Sequence, residues 1–538
     1  MATAAQLIAK RLADAGCKHV FGVPGGEVLT LIEALREEGI EFVLAKHENN
    51  AGFMAEGAWH ATGAPPVLLT TIGPGMANGV NVAGNALLDR VPLIFISGAV
   101  DVQERQTYTH QVVDHGAILK PVVKASFEVV TGAADVIIDK AVSIAMDAPP
   151  GPVHIDLPVG VAGMEEPEAP LIRRPRPIPT RPEGGEELVS ARHLLSGAER
   201  PLIVAGVEAL ESKDAPDMLT ALALDFSIPV ITTYKAKGVY PEEDFLSLGG
   251  AGLSPIADSH LMPLIEKSDL ILLVGYDPVE MRHAWTAPWD ASEKPVIEFT
   301  ATPNTHYVHM ANVSFIGDIG SSLKTLALQL TPNPESWPGG EPAAARQAMA
   351  EAFGAEEKWG PAAIADELRK QLPDDAIATV DSGAHRILLS QVWRCSKPRT
   401  LLQSTGFATM GCALPLAIGA KLAAPERAVA AVTGDAGLEM VLGELATLRD
   451  LELPVVIVVY VDESLALIEK KQREGQLPNV GVDFGGTDFV ALAEAMGGRG
   501  VAVQDRESLA KAVTDGLAAD SFTIVAARIE RRAYDGRF

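Results

Sequence analysis

Positive charge is scarce in this chain: 44 Lys and Arg stand against 70 Asp and Glu, for a formal net charge of -26. Such a surface repels nucleic-acid phosphates and anionic membranes, so neither is expected as a partner. Cysteine is scarcer still. Cys17, Cys395 and Cys412 lie far apart and make no Cys-x-x-Cys pair, which excludes a disulfide framework and fits a reducing cytoplasm. No run of about 20 apolar residues occurs, so no membrane-spanning helix is expected. The N-terminal stretch "MATAAQLIAKRLADAG" has apolar residues at helical spacing but lacks the apolar core and cleavage site of a signal peptide. A soluble protein of the cytoplasm is the expectation.

What the chain does have is length and apolar content. Its 538 residues, 47% of them hydrophobic, exceed the roughly 250 to 300 that one core can serve. Two proline-rich stretches without periodicity, Glu165–Glu187 and Thr331–Pro342, read as surface linkers. They divide the chain into domains at 1–164, 188–330 and 346–538, with linkers at 165–187 and 331–345. Each domain alternates amphipathic helices with short apolar runs bounded by Pro or Gly: "PVLLTT" and "PLIFIS", then "PLIVAG" and "LILLVG", then "AVAAV" and "PVVIVVYV". Continuous apolar strands are buried on both faces, as in parallel sheets covered by helices. The fold class expected is α/β, with three doubly wound parallel-sheet domains.

Ligands of such sheets bind at the carboxyl ends of the strands. One end is marked by "VTGDAGLEM", Val432 to Met440, with a helix "LEMVLGELATLRDLEL" expected after it. The next strand ends at Asp462, 27 residues beyond Asp435, which is one strand-helix-strand crossover. The two carboxylates therefore reach the same edge of neighbouring strands. Taken singly, Asp435 caps a helix and Asp462 starts a turn. Taken together they need a cation between them, and hard oxygen ligands suit Mg²⁺. Free N–H groups of Ala436 and Gly437 would hold a phosphate beside it.

These residues resemble the metal motif of thiamine diphosphate enzymes, Gly-Asp-Gly followed some two dozen residues later by Asn-Asn. Here Ala436 replaces the third glycine and Val461-Asp462 the asparagines. The blocks "FGVPGGEV", "KHENNAGFMAEG" and "TTIGPGMANGVN" each follow an expected strand and are similar, in order and spacing, to the acetolactate synthase branch. "LLVGYDPVE" and "GVDFGGTDFVALAEAMGG" look most like its catabolic, flavin-free members.

The resemblance implies roles for particular residues. Asp435, Asp462 and the Ser464 carbonyl would ligate Mg²⁺. Glu48 would hydrogen-bond N1′ of the aminopyrimidine and stabilise the tautomer that removes the C2 proton. Met410 would force the bent cofactor conformation, with Ala408 beside it. Cofactor contacts are also implied for Pro24, Gly25, Gly73, Gly383, His385, Gly434, Ala436, Gly437, Ser464 and Leu465, and Gln111 would lie near the substrate. "GYDPVEMRH" stands where anabolic members hold flavin, with Asp277 and Pro278 in place of an Arg-Phe pair, so FAD is not expected. Lys470 and Lys471 fall on the helix that, by the resemblance, contributes substrate-pocket residues; solvent-facing charge is their simpler account, and an anion-binding pocket for an unusual acid is the alternative.

The activity implied is decarboxylation of a 2-oxo acid with carboligation to a second carbonyl, in a homodimer or homotetramer whose cofactor site lies between subunits. A decarboxylase releasing an aldehyde is the alternative. A nicotinamide dehydrogenase would need GxGxxG, and "GPGMAN" places Asn78 at the third position. A non-catalytic homologue is disfavoured by the presence of Glu48, Asp435 and Asp462 together.

Overall fold

The computed structural model describes residues 1–166 and 178–538, so residues 167–177 of the first proline-rich stretch lie outside the described residues. Among the described residues no helix is long and apolar enough to cross a membrane. Three six-stranded sheets, parallel throughout and flanked by helices, form the body of the described residues, with a small antiparallel pair, Ala2–Thr3 on Glu165–Glu166, beside the first. The expected α/β class with three doubly wound domains is therefore observed.

In the first sheet the strands run, side by side, Glu41–Leu44, His19–Val23, Val67–Thr70, Ile94–Ala99, Val153–Pro158 and Ala125–Glu128. The third has the same plan: Leu401–Gln403, Ile377–Val380, Val429–Gly434, Val456–Val461, Thr523–Arg528 and Arg499–Val503. Numbered along the chain within each domain, both orders are 2-1-3-4-6-5. The central sheet differs, at 3-2-1-4-5-6, with Ser247–Ala251 at one edge, Pro201–Ala205 (its first strand in the chain) inside and Val313–Ile316 at the other edge. Central strands such as Val456–Val461 and Leu270–Val274 are buried along their whole length, which is why they read as unbroken apolar runs.

The order places the ligand crevices. In the outer domains the chain leaves strands 1 and 3 in opposite directions, and the gap above their carboxyl ends is the topological switch point. In the third domain that gap lies between Asp381 and Gly434; in the first, between Pro24 and Thr71. The central domain's switch point lies between Gly206 and Gly275.

One helix pair joins the outer domains. Glu48–Thr62 packs on Ala413–Ala423, and the backbones touch because glycines face each other across the contact. A Cβ on Gly419 would lie 1.8 Å from the Met54 carbonyl oxygen, and one on Gly57 2.1 Å from that of Leu416.

The helix expected as one run after Gly437 is two: Asp435–Glu439 and Glu444–Asp450, separated by a turn. The break lets Glu444 turn inward, fully buried, towards the first domain. The second linker ends earlier than its composition suggested, since a helix begins at Glu341 with Pro342 in its first turn, where proline costs nothing.

Candidate active site

Asp381 organises the third-domain crevice. It is fully buried and accepts hydrogen bonds from the Ser382, Gly411 and Cys412 N–H groups and from Thr433 Oγ1. Burial pushes its carboxyl up from the usual range, and those donors oppose the shift. A Cβ on Gly437 would lie 2.0 Å from Asp381 Oδ2, so that position takes glycine, whereas the family's other glycine position accommodates Ala436. Beside Asp381 are two buried polar atoms without partners, Ser382 Oγ and His385 Nε2. The His385 ring stacks on Tyr460 with centroids 5.6 Å apart, and burial lowers its pKa to about 3.

Asp435 starts the short helix and turns its carboxylate back across the strand ends. Oδ2 accepts from the N–H of Asp462 (3.1 Å) and Glu463 (2.7 Å), and Oδ1 from Ala436 N–H (2.8 Å). The Ala436 N–H, expected to be free, is thus directed at its neighbour's carboxylate, the nearest strong acceptor. Burial raises the pKa of Asp435. Burial, then the charge of Asp435, raises Asp462 to about 7. Two such carboxylates side by side call for a cation.

The loop carrying Ala408 and Met410 is held from two sides. Asp89, from the first domain, accepts from the N–H of Thr405 and Gly406 and from Thr405 Oγ1 (2.7 Å), while Asp381 holds Gly411. Ala408 adopts φ +50°, a left-handed conformation uncommon outside glycine, which this double grip sustains. Around these elements lies a cavity of about 380 Å³. It is lined by Gly383, His385, Ala408, Met410, Gly434, Asp435, Ala436, Gly437, Asp462, Ser464 and Leu465, and by Lys470 and Lys471. Lys470 pairs with Glu474 and lies over the Phe538 ring, so the two lysines are not equivalent.

Glu48 is elsewhere. It is the first residue of the helix Glu48–Thr62, 7% exposed, and accepts from Asn78 Nδ2 at 2.9 Å. Gly75 and Gly73 stand close by: a Cβ on Gly75 would lie 3.2 Å from Glu48 Oε1, and one on Gly73 2.6 Å from the Gln111 carbonyl oxygen. Gly25 is equally constrained, its Cβ position 2.1 Å from Thr71 Oγ1. Pro24 and Gln111 are exposed on loops, Gln111 at φ +60°. Pro24, Gly25, Glu48, Gly73 and Gln111 thus gather at the carboxyl edge of the first sheet, and none lines the third-domain cavity. One chain holds two half-sites.

Known proteins account for both halves. The description "Thiamine pyrophosphate enzyme, N-terminal TPP binding domain" matches residues 2–118, its "central domain" 188–326, and its "C-terminal TPP binding domain" 381–527. The chain belongs to the thiamine pyrophosphate enzyme family. It is 29% identical to an acetolactate synthase of Bacillus subtilis (strain 168), covering 97% of this chain and 92% of that one. Identity to the acetolactate synthase isozyme 3 large subunit of Escherichia coli (strain K12) is 30%, over 96% and 92%. A protein of Pseudomonas aeruginosa named a probable 2-ketoarginine decarboxylase is as similar, at 29% over 98% and 94%.

The residues of this thiamine pyrophosphate enzyme fit the cofactor. The orphaned Ser382 Oγ and His385 Nε2 are polar atoms that a diphosphate could meet, and the paired carboxylates are oxygen ligands of the kind its metal would take. Four acids escaped the sequence reading: Asp89, Asp381 and Glu444, which hold backbone N–H groups, and Glu208 of the central domain. Asn78 was noticed only as a missing glycine. The rule that turn-forming Asp follows a buried strand could have marked Asp381, in "VDSG".

Proposed function

We propose that this thiamine pyrophosphate enzyme decarboxylates a 2-oxo acid and joins the product to a second carbonyl, as an acetolactate synthase does. The observation that carries the reading is the cavity that gathers Gly383, His385, Met410, Asp435, Asp462 and Ser464 around two unpartnered polar atoms. Asp435, Asp462 and the Ser464 carbonyl hold Mg²⁺ in this reading, and His385 with Ser382 meets the diphosphate. When bound, thiamine diphosphate supplies the carbanion chemistry and the electron sink for decarboxylation. Met410 would pack against the bound cofactor, and Glu48 would hold a proton towards its pyrimidine N1′. Glu48 must come from a partner subunit, because within one chain it stands outside the cavity.

FAD has no place in this reading, and the central crevice supports that. Glu208, 7% exposed, accepts from Thr300 Oγ1 (2.7 Å) and the Ala301 N–H (3.0 Å), so a fixed carboxylate occupies the strand end where a nucleotide's phosphates would need donors. A Cβ on Gly206 would meet the Gly275 carbonyl oxygen at 2.6 Å, and Arg90 pairs with Asp277 at 2.5 Å.

The similarity to a named decarboxylase favours a second reading, release of an aldehyde after protonation. Incubation with a panel of 2-oxo acids, with and without an added aldehyde or ketone, separates them when all products are weighed by mass spectrometry. Condensed hydroxy-ketone products are expected. Free aldehyde alone, in every combination, would overturn carboligation.

A further inference from the structure

We propose that His115, tethered by Asp156, is the positioning residue of the turn Gly73–Asn78, and through Asn78 of Glu48. The proposal rests on the reading that Glu48 acts on the cofactor, and it extends that role to a cluster the family resemblance does not reach.

Five side chains meet over one face of the first sheet: Ser97, Ser126, His154 and Asp156 from three neighbouring strands, and His115 from the helix His115–Leu119. One backbone group fixes every proton among them. The Gly73 N–H can only donate, and it faces His115 Nε2 at 3.1 Å, so that nitrogen carries a lone pair. A neutral ring then has its proton on Nδ1, 2.6 Å from Asp156 Oδ1. Asp156 accepts also from Ser97 Oγ at 2.8 Å, which leaves Ser97 to accept from His154 Nε2 at 2.7 Å. His154 Nδ1 in turn accepts from Ser126 Oγ at 2.8 Å. The assignment closes without conflict. Burial lowers His154 to about 4, which keeps that ring neutral as the assignment requires; burial pushes Asp156 up, and the bond from His115, ahead of the neighbouring imidazoles and Ser97, holds it below the usual carboxylate range.

A metal is the rival account, because ligand atoms of His115, His154 and Asp156 all lie within 4.8 Å of one another. A cation on His115 Nδ1 would drive that ring's proton to Nε2, head on against the Gly73 N–H. The donor that cannot move therefore selects the hydrogen-bonded form.

Gly73 needs such an anchor. Its backbone lies at φ +58°, ψ −102°, outside the regions open to L side chains, and the helix it introduces, Pro74–Asn78, is too short to be stable alone. That helix ends in the residue whose amide holds Glu48. Asp156 fixes the ring, the ring fixes Gly73, and Gly73 aims Asn78.

Two measurements test this. Hydrogen exchange of the peptide spanning residues 72–79 is followed by mass spectrometry on the cofactor-free protein, and deuterium exchange at C2 of bound thiamine diphosphate on the holoenzyme. In His115→Ala, protection of the peptide should fall, and C2 exchange should slow about 10- to 100-fold, with cofactor affinity kept. His115→Gln should recover much of both, since its amide oxygen can accept from Gly73 while its NH₂ donates to Asp156. Unchanged protection in His115→Ala would overturn the proposal, and so would a Gln variant no better than Ala. One zinc ion per chain retained by the parent and lost in the Ala variant would replace it with a metal site. Loss of protection in His115→Ala, alongside normal C2 exchange in Glu48→Gln, would support the buttress and overturn the role of Glu48.

Discussion

Asp462 shows how much of this site is written in single residues. Its pKa is raised to about 7 by burial and by the neighbouring Asp435, so in the proposed role of metal ligand a proton would compete with the metal for it near neutrality. Only the charged form ligates, so Mg²⁺ affinity should be full above that value and fall as pH drops through it, by about tenfold per unit below. Asp462→Asn cannot titrate: it should bind more weakly above neutrality but with an affinity nearly independent of pH. Calorimetric titration of Mg²⁺ with thiamine diphosphate across this range would refute the assignment if the parent protein proved as flat as the variant. Glu48→Gln should bind cofactor normally and lose about 10² to 10⁴-fold in turnover, checked by steady-state rates at saturating cofactor. Both residues were visible in the sequence because their signal is local, a carboxylate just after a strand or at a helix start. Asp89 and Glu444 were not, because their partners are remote: Thr405 lies 316 positions from Asp89, and Lys46 lies 398 from Glu444.

At the scale of elements, the helices Glu48–Thr62 and Ala413–Ala423 set the distance between the outer domains, and glycine sets the distance between the helices. Gly419→Ala would place a methyl group 1.8 Å from the Met54 carbonyl oxygen, against backbone rather than a side chain that could swing away. The helices must separate, at a cost of about 3 kcal/mol, the upper end of ordinary overpacking. Scanning calorimetry should show a clearly lowered melting temperature, and a variant as stable as the parent would mean that the pair does not define the join. Strands were legible because burial on both faces leaves an unbroken apolar run. Helix continuity was less so: nothing in the apolar spacing of "LEMVLGELATLRDLEL" announces that Glu444 turns inward to accept from the Lys46 N–H and the Asn50 amide. That inward turn is dictated by a domain that the local pattern does not contain.

Across the whole molecule, the outer domains share one strand order, and in the proposed reading each offers half of a cofactor site at its switch point, the first-domain residues lying outside the third-domain cavity of the same chain. Exposed apolar side chains flank both halves: Leu29 and Leu44 near the first, Phe407 and Met440 near the second. A partner subunit that covered them would bring its own Glu48 to this chain's Asp435, and the reverse. That geometry has a consequence that activity of either variant alone would not reveal. Glu48→Gln and Asp435→Ala should each be nearly inactive, yet after dissociation and random reassociation of a one-to-one mixture, half of the dimers pair the two variants. In such a dimer one site inherits both lesions and the other inherits neither. Activity should therefore return to about a quarter of the parent value, counted as intact sites per chain. If both residues served one chain's own cofactor, every site would keep a lesion, and the mixture would stay as inactive as its components.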